Sequence, residues 1–463
     1  MTILKACGSV MVACLAWGCG DGAANHVGAD AHPSDAPADA HGVIPTPPDV
    51  TYLKSANPGH IRQWFGDAVA MSADGTTLAI GASREWGNTL GVNSTPSDAT
   101  NTNENNGAVY VFVRGGTGSW TQQAYIKPSI STGNVFFGTS VALSADGSQL
   151  AVGAPNYSSP GGDISGNGFV ETFGRSGTTW SFQANLMPSV IANHQAFGRA
   201  VALSGDGTTF VVGASDGPLY LFTKSGGTWS QNPNLTAADS LTGDVALSAD
   251  GALLAAGATE AGPCDLNQGC AGRIYTFKLT AGAWSPETSF QGPTATGADH
   301  IGRFMGMSGD GTQLASTFGT GLSKVATFAH MGSTWTPNAT VPASNTAGYI
   351  TAIAFSTNGA KLALGAPDDA SCSTGFGGDP TNTGCHASGA AYELTRSGSA
   401  WSEVYIKAPN TNAGDGFGTS VTLAGDGLTL AVGAYAEQSR ATGVNGDESD
   451  NTGQEVGAAY VIK

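Results

Sequence analysis

The sequence predicts an all-β protein: a seven-bladed β-propeller of four-stranded blades, closed by an N-terminal strand that completes the last blade. Three observations carry this reading. An apolar hairpin recurs seven times; further strand signals follow each copy; and a lone strand stands before the first copy.

The hairpin has the form apolar strand, Ala/Gly-Asp-Gly turn, apolar strand. It reads "VAMSADGTTLAIGA" from 69, "VALSADGSQLAVGA" from 141, "VALSGDGTTFVVGA" from 201, "VALSADGALLAAGA" from 245, "MGMSGDGTQLASTF" from 305, "IAFSTNGAKLALGA" from 353 and "VTLAGDGLTLAVGA" from 421. The turn residues are Asp74, Asp146, Asp206, Asp250, Asp310, Asn358 and Asp426. Aspartate bonds to the backbone just ahead of it, and glycine accepts a backbone angle closed to other residues, so the positions read as tight turns. A third strand follows each copy, from "GAVYVFV" at 107 to "GAAYVIK" at 457. In the first six copies a turn and a tryptophan then open a fourth strand, at Trp120, Trp180, Trp229, Trp284, Trp335 and Trp401. Their recurrence at one position predicts core packing between stacked sheets. The seventh copy lacks its own fourth strand, while "TYLK" at 51–54 resembles the fourth strands "AYIK" and "VYIK". Pairing of Ala458–Ile462 with this segment would close a ring and remove two open sheet edges.

Composition agrees. Only 11% of the 463 residues are charged, and 68 are glycine, which suits strands and turns better than surface helices. A formal charge of -17 disfavours binding to a phosphate backbone, so nucleic acid is not an expected partner. Residues 1–18, with Lys5 before a short apolar stretch, read as an export signal. The cysteine that follows resembles the lipidated cysteine of bacterial lipoproteins, with Cys19 the better candidate and Cys14 the alternative. Residues 19–49 are rich in Ala, Asp and Pro and read as a disordered tether before a propeller at 50–463. Four further cysteines form two close pairs. Their spacing favours local disulfides Cys264–Cys270 and Cys372–Cys385 over crossed pairing, or over a metal site with His386.

The repeats resemble the FG-GAP repeats of the integrin alpha-subunit propeller, in the branch found in exported bacterial proteins. Phe-Gly stands at 65–66, 137–138, 197–198 and 417–418, and Gly-Ala-Pro at 153–155 and 365–367. Copies 4 to 6 lack the Phe-Gly pair, and Thr317-Phe318 replaces Gly-Ala in copy 5. The resemblance implies calcium in the loop joining the first two strands of a blade. Here that loop is cut to a turn with a single carboxylate, too few oxygens for calcium. The longer loop between second and third strands offers another place. In copy 7, Asp447, Asp450 and Glu455, with Asn445 and Asn451, could gather round calcium or remain solvated polar residues. No other cofactor is expected.

Up-and-down connectivity puts the second-to-third-strand loops and the inter-blade loops on one face, which carries the long and cysteine-bearing insertions. The expected function is a binding or adhesion scaffold of the bacterial cell envelope, lipid-anchored or secreted. It would act as a monomeric propeller, contact protein or glycan through this face, and meet the membrane through its anchor alone. The alternative is a propeller hydrolase or lyase with a site at the central channel, where Asp299, His300 and His194 lie in inter-blade loops. No catalytic arrangement has diagnostic spacing, so no catalytic residue is assigned.

Overall fold

Six of the seven hairpins fold by the same side-chain bonds. In the computed structural model, Ser72 Oγ donates to Asp74 Oδ1 at 2.6 Å, and the Thr76 amide donates to the same oxygen at 2.9 Å. The Thr77 amide in turn donates to Ser72 Oγ at 2.9 Å. Gly75 takes a φ of 65°, which the turn requires. Ser144–Asp146, Ser204–Asp206, Ser248–Asp250, Ser308–Asp310 and Ser356–Asn358 repeat the arrangement. In blade 7, Ala424 stands in the serine's place and Asp426 keeps the bond from the Leu428 amide.

The structure describes residues 49–463 apart from 58–60, 95–104, 131–132, 158–165, 190–194, 216, 266–268, 295–298 and 342–347. The leader, Cys19 and nearly all of the tether lie outside the described residues.

Seven four-stranded antiparallel sheets follow one another in chain order. Blade 1 runs outward through Phe65–Met71, Thr77–Ala82, Ala108–Arg114 and Trp120–Ile126. Blade 7 takes its outer strand from the other end of the chain: Val50–Leu53 pairs with Ala458–Ile462 in the register Val50↔Ile462 to Leu53↔Ala459. The strand starts one residue before the expected 51–54, and Lys54 leaves the ladder for an ion pair described below.

At the turn face the blades join in a circlet of backbone hydrogen bonds. Ala73 N donates to Ala145 O, Ala145 N to Gly205 O, Gly205 N to Ala249 O and Ala249 N to Gly309 O. Asp310 N to Thr357 O, Thr357 N to Gly425 O and Gly425 N to Ala73 O return it to its start, all at 2.7–2.9 Å. The ring is thus closed twice, at its inner rim by backbone and at its outer rim by the borrowed strand.

Between blades, the motif glycines act as joints. A Cβ on Gly81 would lie 2.1 Å from Gly138 O of the next blade, one on Gly153 2.0 Å from Gly198 O, and one on Gly433 1.9 Å from Gly66 O. The Gly-Ala glycine of each such blade is therefore pressed against the Phe-Gly carbonyl of its neighbour, leaving no room for a side chain. The phenylalanines Phe65, Phe137, Phe197 and Phe417 are fully buried beside these contacts.

The tryptophans pack as expected. Trp120, Trp180, Trp229 and Trp335 are buried in the blade cores, and Trp284 and Trp401 are half-buried. Arg114, Arg175 and Lys224 hold their charges 5.9, 5.6 and 5.5 Å from the rings of Trp120, Trp180 and Trp229.

Candidate functional site

Three of the long loops, in blades 1, 6 and 7, share one build. Each leaves the second strand and reaches a buried acid four residues past the motif glycine: Glu85, Asp369 and Glu437. A buried lysine from the outer strand meets each acid. Lys127 pairs with Glu85, Lys407 lies 3.3 Å from Asp369, and Lys54 lies 2.6 Å from Glu437. Tyr125 and Tyr405 donate their hydroxyls to Glu85 and Asp369 at 3.0 and 2.8 Å. The acids also hold their own loops, accepting the amides of Gly87, Ser371 and Ser439. Burial pulls each lysine's pKa down, and the facing carboxylate opposes that pull.

Past the acid, each loop runs back along the outer strand as a strap. The outer-strand lysine amides Lys127 N, Lys407 N and Lys54 N donate to Gly91 O, Gly375 O and Gly443 O at 2.9, 2.8 and 2.8 Å. Val92, Phe376 and Val444 bridge to Ile126, Ile406 and Leu53 as single rungs of a fifth strand. The straps thus cover the outer sheet edge, the place where an exposed row of amides and carbonyls would recruit another chain. Blades 6, 7 and 1 are consecutive in the ring, so the three straps share one sector. The signal that could have revealed them is the recurrence of Gly91-Val92-Asn93, Gly375-Phe376-Gly377 and Gly443-Val444-Asn445 beside three Tyr-x-Lys strands.

Both expected local disulfides form, Cys264–Cys270 across a short ladder in the blade 4 loop and Cys372–Cys385 within the blade 6 strap. They fit an oxidising, extracellular or periplasmic location.

The acidic residues weighed for calcium each hold different partners. Asp447 Oδ1 accepts from Ser449, Asp450 from Thr452 and the Arg440 amide, and Glu455 Oε2 from Trp64 Nε1. Asn445 Oδ1 accepts the Tyr52 amide, and Asn451 Oδ1 accepts from Asn412. The bonds from Ser449 and Thr452 hold Asp447 and Asp450 below the usual carboxylate range. Among the described residues no three His, Cys, Asp or Glu side chains are grouped to hold a metal ion.

Of the residues weighed for catalysis, Asp299 is buried and accepts from Thr294 Oγ1 at 2.6 Å. His300 takes a left-handed backbone, φ 45°, as do Trp64, Phe136 and Ala196 at the same place in other blades; it belongs to the inter-blade joint. His194 lies outside the described residues.

At the centre of the same face, all seven blades line the channel mouth. Asp67, Arg199, Asp244 and Arg303 bring four charges there, above the aliphatic residues Val69, Val141, Val201, Ile353 and Val421. Burial pushes the Asp67 and Asp244 carboxyls up to about 6, against hydrogen bonds from Ser83 to the first and from the Val245 and Met305 amides to the second.

The FG-GAP repeat family matches residues 180–219 and 401–462. No curated protein matches the chain in sequence. Among solved structures, the β-propeller domain of Myceliophteria thermophila Cps50 (Swd1) is 12% identical with a TM-score of 0.52, covering 89% of this chain and 99% of that one. A chain of the mitotic checkpoint complex is 17% identical with a TM-score of 0.50, covering 85% and 94%. At these identities the likeness concerns the fold alone. The chain thus carries FG-GAP repeat matches within a closed seven-bladed β-propeller, consistent with an integrin-alpha-like propeller.

Proposed function

We propose that the protein is an exported scaffold, anchored to the cell envelope through Cys19 and the tether, that binds a protein or glycan through its long-loop face. The observation that supports this most is the strap triplet. Three long polar loops on consecutive blades are each fixed by a buried Lys–acid pair, which gives a varied surface with little ordering left to lose on binding. No helix among the described residues is long and apolar enough to cross a membrane, which fits attachment by lipid.

The test is capture from native envelope extracts with the wild-type chain and with a variant whose blade 7 strap is replaced by the tight Ser-x-Gly connection of blade 3. Loss of the captured partner, with melting temperature kept, is the expected result. Equal capture by both places the contact elsewhere. In parallel, Cys19→Ser should move the protein from the membrane to the soluble fraction; retention in the membrane removes the anchor.

A further inference from the structure

The channel mouth carries charges that the fold uses only in part. Arg199 and Arg303 come from blades 3 and 5 and are both exposed at the opening of a cavity of about 280 Å³. The Arg199 guanidinium donates once, to Thr242 O at 3.0 Å; burial lowers its pKa most, the Asp244 carboxylate opposes this, and Arg303 adds a smaller repulsion. Arg303 has no hydrogen-bond or ion-pair partner among the described residues, and its guanidinium lies 5.8 Å from the Phe304 ring. Asp244, between them in blade 4, is committed to the backbone, accepting the amides of Val245 at 2.9 Å and Met305 at 3.2 Å. Across the opening, Asp67 accepts the Ser83 hydroxyl. Two guanidiniums therefore face one cavity with open donor positions.

The wall beneath is of the opposite kind. Val69, Val141, Val201 and Ile353 line the same cavity and keep part of their surface accessible, while Val421 is nearly covered. Removing such surface from water favours a hydrocarbon there by roughly 25 cal/mol per Å².

We propose that the channel mouth binds a small aliphatic carboxylate, its head held by Arg199 and Arg303 and its hydrocarbon against the valine and isoleucine ring. Planar guanidinium forks match a carboxylate through paired N–H bonds, and two of them can share its oxygens. A polar rim above an apolar floor is the usual make-up of a small-molecule pocket. The site uses no strap residue, so it stands apart from the macromolecular contact proposed above.

Titration calorimetry on the full mature chain tests this with sodium hexanoate, pentanoate and acetate, hexylamine, hexanol and inorganic phosphate. Hexanoate should bind more tightly than acetate by about tenfold or more, and the amine and alcohol should give no heat at the same concentrations. Arg303→Gln and Arg199→Gln should each weaken hexanoate by about tenfold with unchanged melting temperature. If one of them unfolds, Val141→Phe serves instead, and it should shift the preference towards shorter acids. The proposal fails if no carboxylate binds at millimolar concentration, if phosphate or acetate matches hexanoate, or if none of the three variants changes the affinity. The blade 7 strap variant should bind hexanoate as the wild type does, so failure of the strap reading and failure of this one give different results.

Discussion

The joint between blades 7 and 1 and the joint between blades 5 and 6 are built differently. At the first, Gly433 lies flat against Gly66 O and Gly457 against Phe65 O, so backbone touches backbone. At the second, neither motif survives: Thr317-Phe318 stands for Gly-Ala in blade 5, and Ile350-Thr351 for Phe-Gly in blade 6. Phe318 and Ile350 are buried there, and the Ile350 amide still reaches back to Leu322 O at 3.2 Å. The two glycine motifs are absent together, one from each side of the same joint. At this joint the pattern fits a packing contact, because a side chain facing a glycine carbonyl would clash; between blades 3 and 4, Gly213 remains although blade 4 lacks Phe-Gly, and there it faces the Val245 side chain. The motif that gives the family its name is, in this chain, a means of joining blades.

The comparison can be broken at single residues. Lys127→Met strips Glu85 of its buried counter-charge and should cost about 3–5 kcal/mol, and it should open the blade 1 strap to protease. Lys361→Met, at the part-exposed pair Lys361–Glu393, should cost under about 1 kcal/mol. Equal losses in urea unfolding would show that the strap is not held by its lysine. At the joints, Gly433→Ala places a methyl where Gly66 O already lies and should lower stability by about 3 kcal/mol. Gly213→Ala is the control: its Cβ would meet nothing closer than 3.4 Å and φ is ordinary, so the change should stay within about 1 kcal/mol. A mild Gly433→Ala would undo the joint reading.

The smallest effect concerns acidity near the straps of blades 6 and 7. Burial pushes the Asp415 carboxyl up to about 7; Glu437 adds to this, and Lys54 and Lys407 oppose it. Its Oδ1 has no hydrogen-bond partner, while the Asn412 amide donates to Oδ2 at 2.8 Å. The folded protein therefore keeps a proton that the unfolded chain sheds near 3.8. Its contribution is fully present below that value and is lost as pH rises through about 7. Asp67 and Asp244 act in the same sense up to about 6. Melting temperature should accordingly fall from pH 5 to pH 8, and Asp415→Asn should flatten the fall and raise the value at pH 8. An unchanged slope in Asp415→Asn would remove Asp415 from the account.

What could be read in the sequence was local or repeated. The Ser–Asp turns, the three strands after each turn, the borrowed strand of blade 7 and both disulfides depend on short spacings or on a sevenfold pattern. The straps escaped because their contacts join distant residues of unlike kind. Lys54 meets Glu437 across 383 positions, and a lysine ending an apolar strand reads as a solvated tip. Arg199 and Arg303 were equally hidden, since each is a lone charge in its own blade and only ring closure brings both to one opening. The carboxylates of the blade 7 loop are close in sequence but hold different partners: Asp447 and Asp450 each stabilise a turn, and Glu455 accepts from Trp64 at the start of blade 1.

The borrowed outer strand also sets an order of events in time. Val50–Leu53 emerges from the ribosome, or from a translocation pore, before any blade exists, yet its partner Ala458–Ile462 emerges only after all seven hairpins. Through all that interval the early strand must stay unpaired or be held by another protein. The circlet likewise waits for Gly425 to meet Ala73. Contacts of such long sequence separation are slow to form, and they leave two sheet edges bare until they do. A chain lacking Ala458–Ile462 would have nothing to pair with Val50–Leu53, so this strand governs solubility during biogenesis as much as it governs the finished shape.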